Sequence, residues 1–262
     1  MNLEGLQAIL EKEEIVATQR AEDLYLRPEI VDRVYQGHVR TYIPLGRQSS
    51  GNDSGQSVTE FERRVMTEVK QGGATRGYIT AEYGHGKTST ALYVWQRARE
   101  NNILAVPPFQ LNKLTDFIRA TYGWVRYEIE RTRPNSNTLR NAEELYASLI
   151  DRGAKSFAQQ YNMNLADAHR MVKEKPEILD LTPADYIRFF ETTTHLAQDA
   201  GYEGLLIIAD ELQQYIDPEI KQGIKDPISP FFDVVGAILT RRNHLNFGLL
   251  VVIPPKELGQ LR

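Results

Sequence analysis

Apolar residues along the chain follow two rhythms, a spacing of three to four residues that marks helices and short unbroken runs that mark buried strands. Leu3, Leu6 and Leu10 open the first rhythm and predict a helix over residues 3–23, interrupted at Arg27-Pro28. Residues 46–57 hold no apolar side chain and read as a polar, glycine-rich loop. A helix is expected over 58–70, broken by Gly72-Gly73, with a short β-prone run after it. The next helix is marked by Ala91, Val94, Trp95 and Ala98 on one face, with Gln96, Arg97 and Arg99 elsewhere. A second strand at 103–106 stops at Pro107-Pro108, and a further helix is expected over 111–122.

The long interval that follows is read as helical from its caps. Asn141-Ala-Glu-Glu144 resembles a capping-box start, and Thr182-Pro-Ala-Asp185 places Thr at the N-cap with Pro at the first helical position. Tyr186, Phe189, Phe190, Thr193, Leu196, Ala197 and Ala200 then form a broad stripe suited to packing on a sheet. Gly204-Leu-Leu-Ile-Ile-Ala is apolar throughout, as in a strand covered on both faces. A helix over 231–242 and a strand over 246–254 complete the series. The order predicts an α/β fold, a doubly wound parallel sheet with helices on both faces. Residues 1–57 form an N-terminal helical extension and polar loop in this reading. Residues 58–262 form the core, with a helical insertion at about 123–181.

Two signals carry chemistry. Ala81, Glu82, Tyr83, Gly84, His85, Gly86, Lys87 and Thr88 spell the phosphate-binding loop pattern A/G-x-x-x-x-G-K-S/T, with Ser89 next in the helix. Between a strand and a helix, such a loop gathers backbone N–H groups at the positive end of a helix dipole. Gly84 and Gly86 allow close approach to phosphate oxygens, Lys87 reaches the β and γ phosphates, and the Thr88 hydroxyl can ligate Mg²⁺. The second signal is Asp210-Glu211, two acids at the carboxyl end of the apolar strand, where ligands bind in open α/β sheets. Asp210 suits the metal and Glu211 the polarisation of an attacking water. Taken alone, each signal has a plainer reading, a glycine turn before a surface helix and a strand closed by exposed acids.

Composition narrows the partners. The formal net charge of −4 argues against a dominant nucleic-acid surface. Absence of cysteine excludes disulfides and thiolate metal sites. The first residues lack a long apolar run, so no signal peptide is expected; with no segment long enough to span a membrane, the expected location is the cytoplasm. Asn112-Lys-Leu-Thr-Asp116 has Thr115 where a guanine-reading motif needs an acid. Arg126, Arg131, Arg133 and Arg140 with Trp124 and Tyr127 could contact phosphates and stack bases, or form an ordinary solvated helical face.

The stretch Tyr78-Ile-Thr-Ala-Glu-Tyr-Gly-His-Gly-Lys-Thr-Ser, together with Leu205-Leu-Ile-Ile-Ala-Asp-Glu-Leu-Gln-Gln-Tyr, resembles the ATPase cores of the AAA+ and STAND superfamily. Within it, the chain is most similar to large ATPases of prokaryotic phage-defence systems of the BREX type. The resemblance implies ATP and Mg²⁺ as cofactors, Lys87 and Glu211 in catalysis, and Thr88 and Asp210 at the metal. It also implies a homo-oligomer or partner proteins in a multi-component system, driven by conformational change. Ile253-Pro254-Pro255 stands where a polar sensor is usual, and Arg241, Arg242 and Arg262 are arginine-finger candidates by location alone. The usual C-terminal lid has no counterpart before residue 262, which points to a piece of a longer protein. Two other classes fit the same motifs. Asp210-Glu-Leu-Gln213 resembles the box of a DNA translocase or helicase, and a non-hydrolysing nucleotide-gated scaffold would need only the binding loop.

Overall fold

The computed structural model describes residues 58–80, 86–133, 136–175, 178–179, 181–212, 236 and 245–254. The expectations for 3–23, for 46–57, for 231–242 apart from Gly236, and for Arg241, Arg242 and Arg262 lie outside those residues.

The described chain runs α1 (Val58–Lys70), β1 (Thr75–Ile79), α2 (Lys87–Glu100), β2 (Leu104–Ala105), β3 (Phe109–Gln110) and α3 (Thr115–Thr132). It continues through α4 (Asn137–Tyr161), α5 (Leu165–Glu174), α6 (Pro183–Asp199), β4 (Leu205–Asp210) and β5 (Phe247–Val252). The strands form one parallel sheet in the order β1-β5-β4-β2, with β3 also paired to β4. Because every pairing is parallel, the strands all end on one rim.

Strands β4 and β5 are buried at all six positions each, and successive side chains point to opposite faces, so both faces are covered. Neighbouring residues of β5 show what covers them. Phe247 packs against Phe190 of α6, ring centroids 5.6 Å apart, while Gly248 faces Val69 of α1. Helices α1 and α6 therefore flank opposite faces of the sheet. A Cβ at Gly248 would stand 2.8 Å from both Leu206 Cδ1 and Val69 Cγ2, so glycine is what lets α1 come this close. A smaller cluster of Ile150, Ala154, Ala168, Val172 and Leu179 joins α4 to α5.

Three local expectations change. The strand expected at 103–106 is shorter, and pairing resumes as β3 beyond the two prolines. From Ala105 to Phe109 the chain takes four steps while β4 takes three, Leu206 to Ala209, so the edge strand bulges by one residue. The prolines contribute no N–H to the ladder there. The helix expected over 111–122 starts later and extends to Thr132, its entry held by Asp116, whose Oδ2 accepts the N–H groups of Asn112 and Lys113 at 2.9 and 2.8 Å. Asn141 is not a helix start. Ser136 caps α4 instead, its Oγ accepting the Leu139 N–H at 3.2 Å, which leaves Asn141 inside the helix. Thr182 caps α6 with Pro183 first in the helix, as expected, and the cap closes as a box: Asp185 N–H donates to Thr182 Oγ1, and Thr182 N–H donates to Asp185 Oδ2 at 3.0 Å. No helix among the described residues is long and apolar enough to cross a membrane.

Candidate functional site

Strand β1 delivers the chain to the carboxyl rim at Ile79. Ala81, Glu82, Tyr83, Gly84 and His85 lie outside the described residues. Gly86 follows at φ 77° and serves as N-cap of α2 without any side-chain cap. Among the described residues a Cβ there would meet nothing within 4 Å, and the left-handed backbone is itself a demand that glycine meets. Lys87, Thr88 and Ser89 form the first helical turn, and Thr90 N–H bonds Gly86 O at 2.9 Å.

Strand β5 separates β1 from β4, a distance of two strand spacings or about 10 Å. The start of α2 bridges that gap. Thr88 Oγ1 donates to Asp210 Oδ2 at 2.9 Å, joining residues 122 apart in sequence. Asp210 ends β4, is 7% exposed, and also accepts the Glu211 N–H on Oδ1 at 2.8 Å. Burial pushes its carboxyl above the usual aspartate range. The Thr88 and Glu211 hydrogen bonds and the positive charge of Lys87 pull in the opposite direction. Lys87 thus acts electrostatically on the same carboxylate that Thr88 touches.

Glu211 adopts φ 52°, a left-handed conformation that L side chains occupy at a cost. The bend turns its carboxylate away from the strand, where Gln110 Nε2 donates to Glu211 Oε2 at 3.2 Å. Leu212 N–H reaches Val252 O at 3.4 Å and fastens the far side of the bend to β5. Sequence pattern alone does not single out Gln110. Its place follows from the resumed pairing, which sets Gln110 beside Asp210 at the end of β4.

The arginines of the stretch are each engaged within the chain. Arg126 pairs with Glu143 at 3.4 Å, Arg131 with Glu128 at 2.6 Å, Arg133 bonds Asp199 O, and Arg140 bonds Asn137. Trp124 is buried against Trp95, so it offers no platform for a base. Among the described residues no three His, Cys, Asp or Glu groups converge as a metal cluster.

Fold and site together define an α/β protein with a parallel sheet flanked by helices, whose carboxyl rim gathers Lys87, Thr88, Gln110, Asp210 and Glu211. No family model matches the chain, and neither a curated protein nor a solved structure does.

Proposed function

We propose that the chain is an ATP- and Mg²⁺-binding ATPase domain of the AAA+/STAND kind, a P-loop NTPase core. The observation that carries this reading is the Thr88–Asp210 contact, which unites two residues that separate motifs assign to one metal. The donors suit a hard cation. Such an ion takes one or two carboxylates with waters and substrate phosphates, so a larger acidic cluster is not required.

In this mechanism Lys87 and the first N–H groups of α2 hold the phosphates at the positive end of the helix. Thr88 and Asp210 would hold the ion, which would neutralise charge on the phosphate oxygens. Glu211, steadied by Gln110, orients a water in line with the γ-phosphorus. Its oxygen bonds to phosphorus as the bond to the bridging oxygen breaks; the electron pair leaves on ADP and one proton of the water passes to the released phosphate, giving ADP and inorganic phosphate. Resemblance of the motifs supports a further step, transmission of this cycle to partner domains or further copies in a phage-defence assembly.

The test is Mg-ATP turnover of the wild type and Glu211→Gln, each with and without double-stranded DNA, alongside ATP binding by Lys87→Ala. Turnover lost in Glu211→Gln and binding lost in Lys87→Ala are expected. Unchanged ATP affinity in Lys87→Ala would sink the site. Strong stimulation by DNA would make the chain a translocase core, and tight binding without turnover would make it a nucleotide-gated scaffold.

A further inference from the structure

Strand β4 ends on a slip of one residue, and Glu211 is the residue it adds. Near the start of the β4–β5 ladder, Leu205 N–H donates to Asn246 O at 2.9 Å. A parallel ladder repeats every two residues, and Glu211 lies as far beyond Leu205 as Val252 lies beyond Asn246. The N–H due at Val252 O is therefore that of Glu211. Leu212 N–H takes that carbonyl instead, at 3.4 Å. Glu211 is left over, and it is the residue with left-handed backbone, at φ 52°. An extra residue in one strand is a bulge, and bulges are common beside active sites, where they re-aim a side chain.

The peptide unit between Asp210 and Glu211 is held at both ends without β5. On the β3 side Leu111 N–H donates to Asp210 O at 3.2 Å, and Glu211 N–H donates to Asp210 Oδ1 at 2.8 Å. The aspartate side chain stands in for the β5 carbonyl, so the slip leaves the Glu211 N–H satisfied. Leu212, fully buried, anchors the next residue in the core. The direction of Glu211 follows from this slip. Gln110 and Asp210 are register partners, and paired residues of adjacent strands point to one face. In an unbroken strand Glu211 would point to the opposite face, because side chains alternate. Its carboxylate instead meets Gln110 Nε2 at 3.2 Å, on the face where Asp210 Oδ2 meets Thr88.

We propose that this slip is a positioning device, with Leu212 as its positioning residue. Leu212 claims the ladder bond due to Glu211, Asp210 Oδ1 satisfies the displaced N–H, and the Glu211 carboxylate is thereby brought to the face that holds Thr88 and Asp210. This role rests on the ATPase reading, in which Glu211 orients the attacking water. Asp210 then serves with both oxygens, Oδ2 toward the metal position and Oδ1 toward the backbone of Glu211. Leu212 touches no reactant and acts through Glu211 alone.

Two comparisons test it, and the first needs no nucleotide. Glu211→Gly and Glu211→Ala both delete the carboxylate, so the contrast between them reads the backbone. Glycine occupies a φ of 52° without steric cost, whereas in an extended strand it is the weaker of the two. Glu211→Gly is expected to melt a few degrees above Glu211→Ala. Equal melting points, or the reverse order, overturn the slip. The second comparison sets Leu212→Pro beside Leu212→Ala. Proline has no N–H for Val252 O and pushes the residue before it toward extended backbone; alanine trims the packing and keeps the N–H. ATP affinity by calorimetry is expected to be alike in the two, with kcat lower by about tenfold or more in Leu212→Pro. Should Leu212→Pro not fold, the ester analogue of Leu212, which lacks only the N–H, takes its place against wild type. Equal kcat with ATP bound overturns the positioning role and leaves the ATPase reading standing. A wild type that binds ATP without turnover defeats that reading, and this role with it.

Discussion

Asp210 sets stability against chemistry at a single side chain. Its burial raises the carboxyl pKa, so the folded chain binds that proton more tightly than the unfolded chain does. The stabilising contribution is complete below the unfolded value of 3.8 and is lost as pH rises through the higher folded value. At pH 7 the ionised group is a net cost that a bound cation would offset. Asp210→Asn is therefore expected to melt a few degrees above wild type at pH 7 without nucleotide, with the gap closing as pH falls toward 4. Melting curves across that range check it, and a variant less stable than wild type at pH 7 contradicts the assignment. Glu211 shows the same tension in its backbone, since φ 52° places a non-glycine residue where strain is stored at functional sites.

Elements differ in how plainly they can be read from residue order. The apolar runs of β4 and β5 and the stripe of α6 are legible because burial on both faces, or along one face, writes itself into local pattern. Strand β3 is not legible: two residues after a proline pair become a strand through pairing with Ala209 and Asp210, a tertiary fact. Gln110 stays hidden for the same reason, although Lys87, Thr88, Asp210 and Glu211 stand out in local motifs. From residue order the start of α4 is expected at Asn141, and the side-chain cap places it at Ser136 instead. Ser136→Ala should cost about 1 kcal/mol in chemical denaturation, whereas Asn141→Ala, at an exposed interior position, should be close to neutral. Equal effects at the two positions would count against the observed helix boundary.

Across the whole molecule, the proposed nucleotide site at the sheet's carboxyl rim would couple ligand binding to global stability. A ligand that binds only the folded chain adds about 2.7 kcal/mol when present at a hundred times its Kd. Mg-ATP should accordingly raise the melting temperature by several degrees, and Thr88→Val should remove the part that depends on Mg²⁺. Calorimetry with ATP in the presence of Mg²⁺ or of a chelator separates the two contributions; an equal shift in both conditions would detach Thr88 from the metal. The bulge at Pro107-Pro108 bears on how copies of such a molecule can meet. Edge strands invite other chains to add a strand of their own, and two adjacent residues without N–H donors deny an incoming backbone its partners at that point. Strand addition is therefore hindered at this one point of the β2–β3 side of the sheet, where an incoming chain would find no donor to pair with.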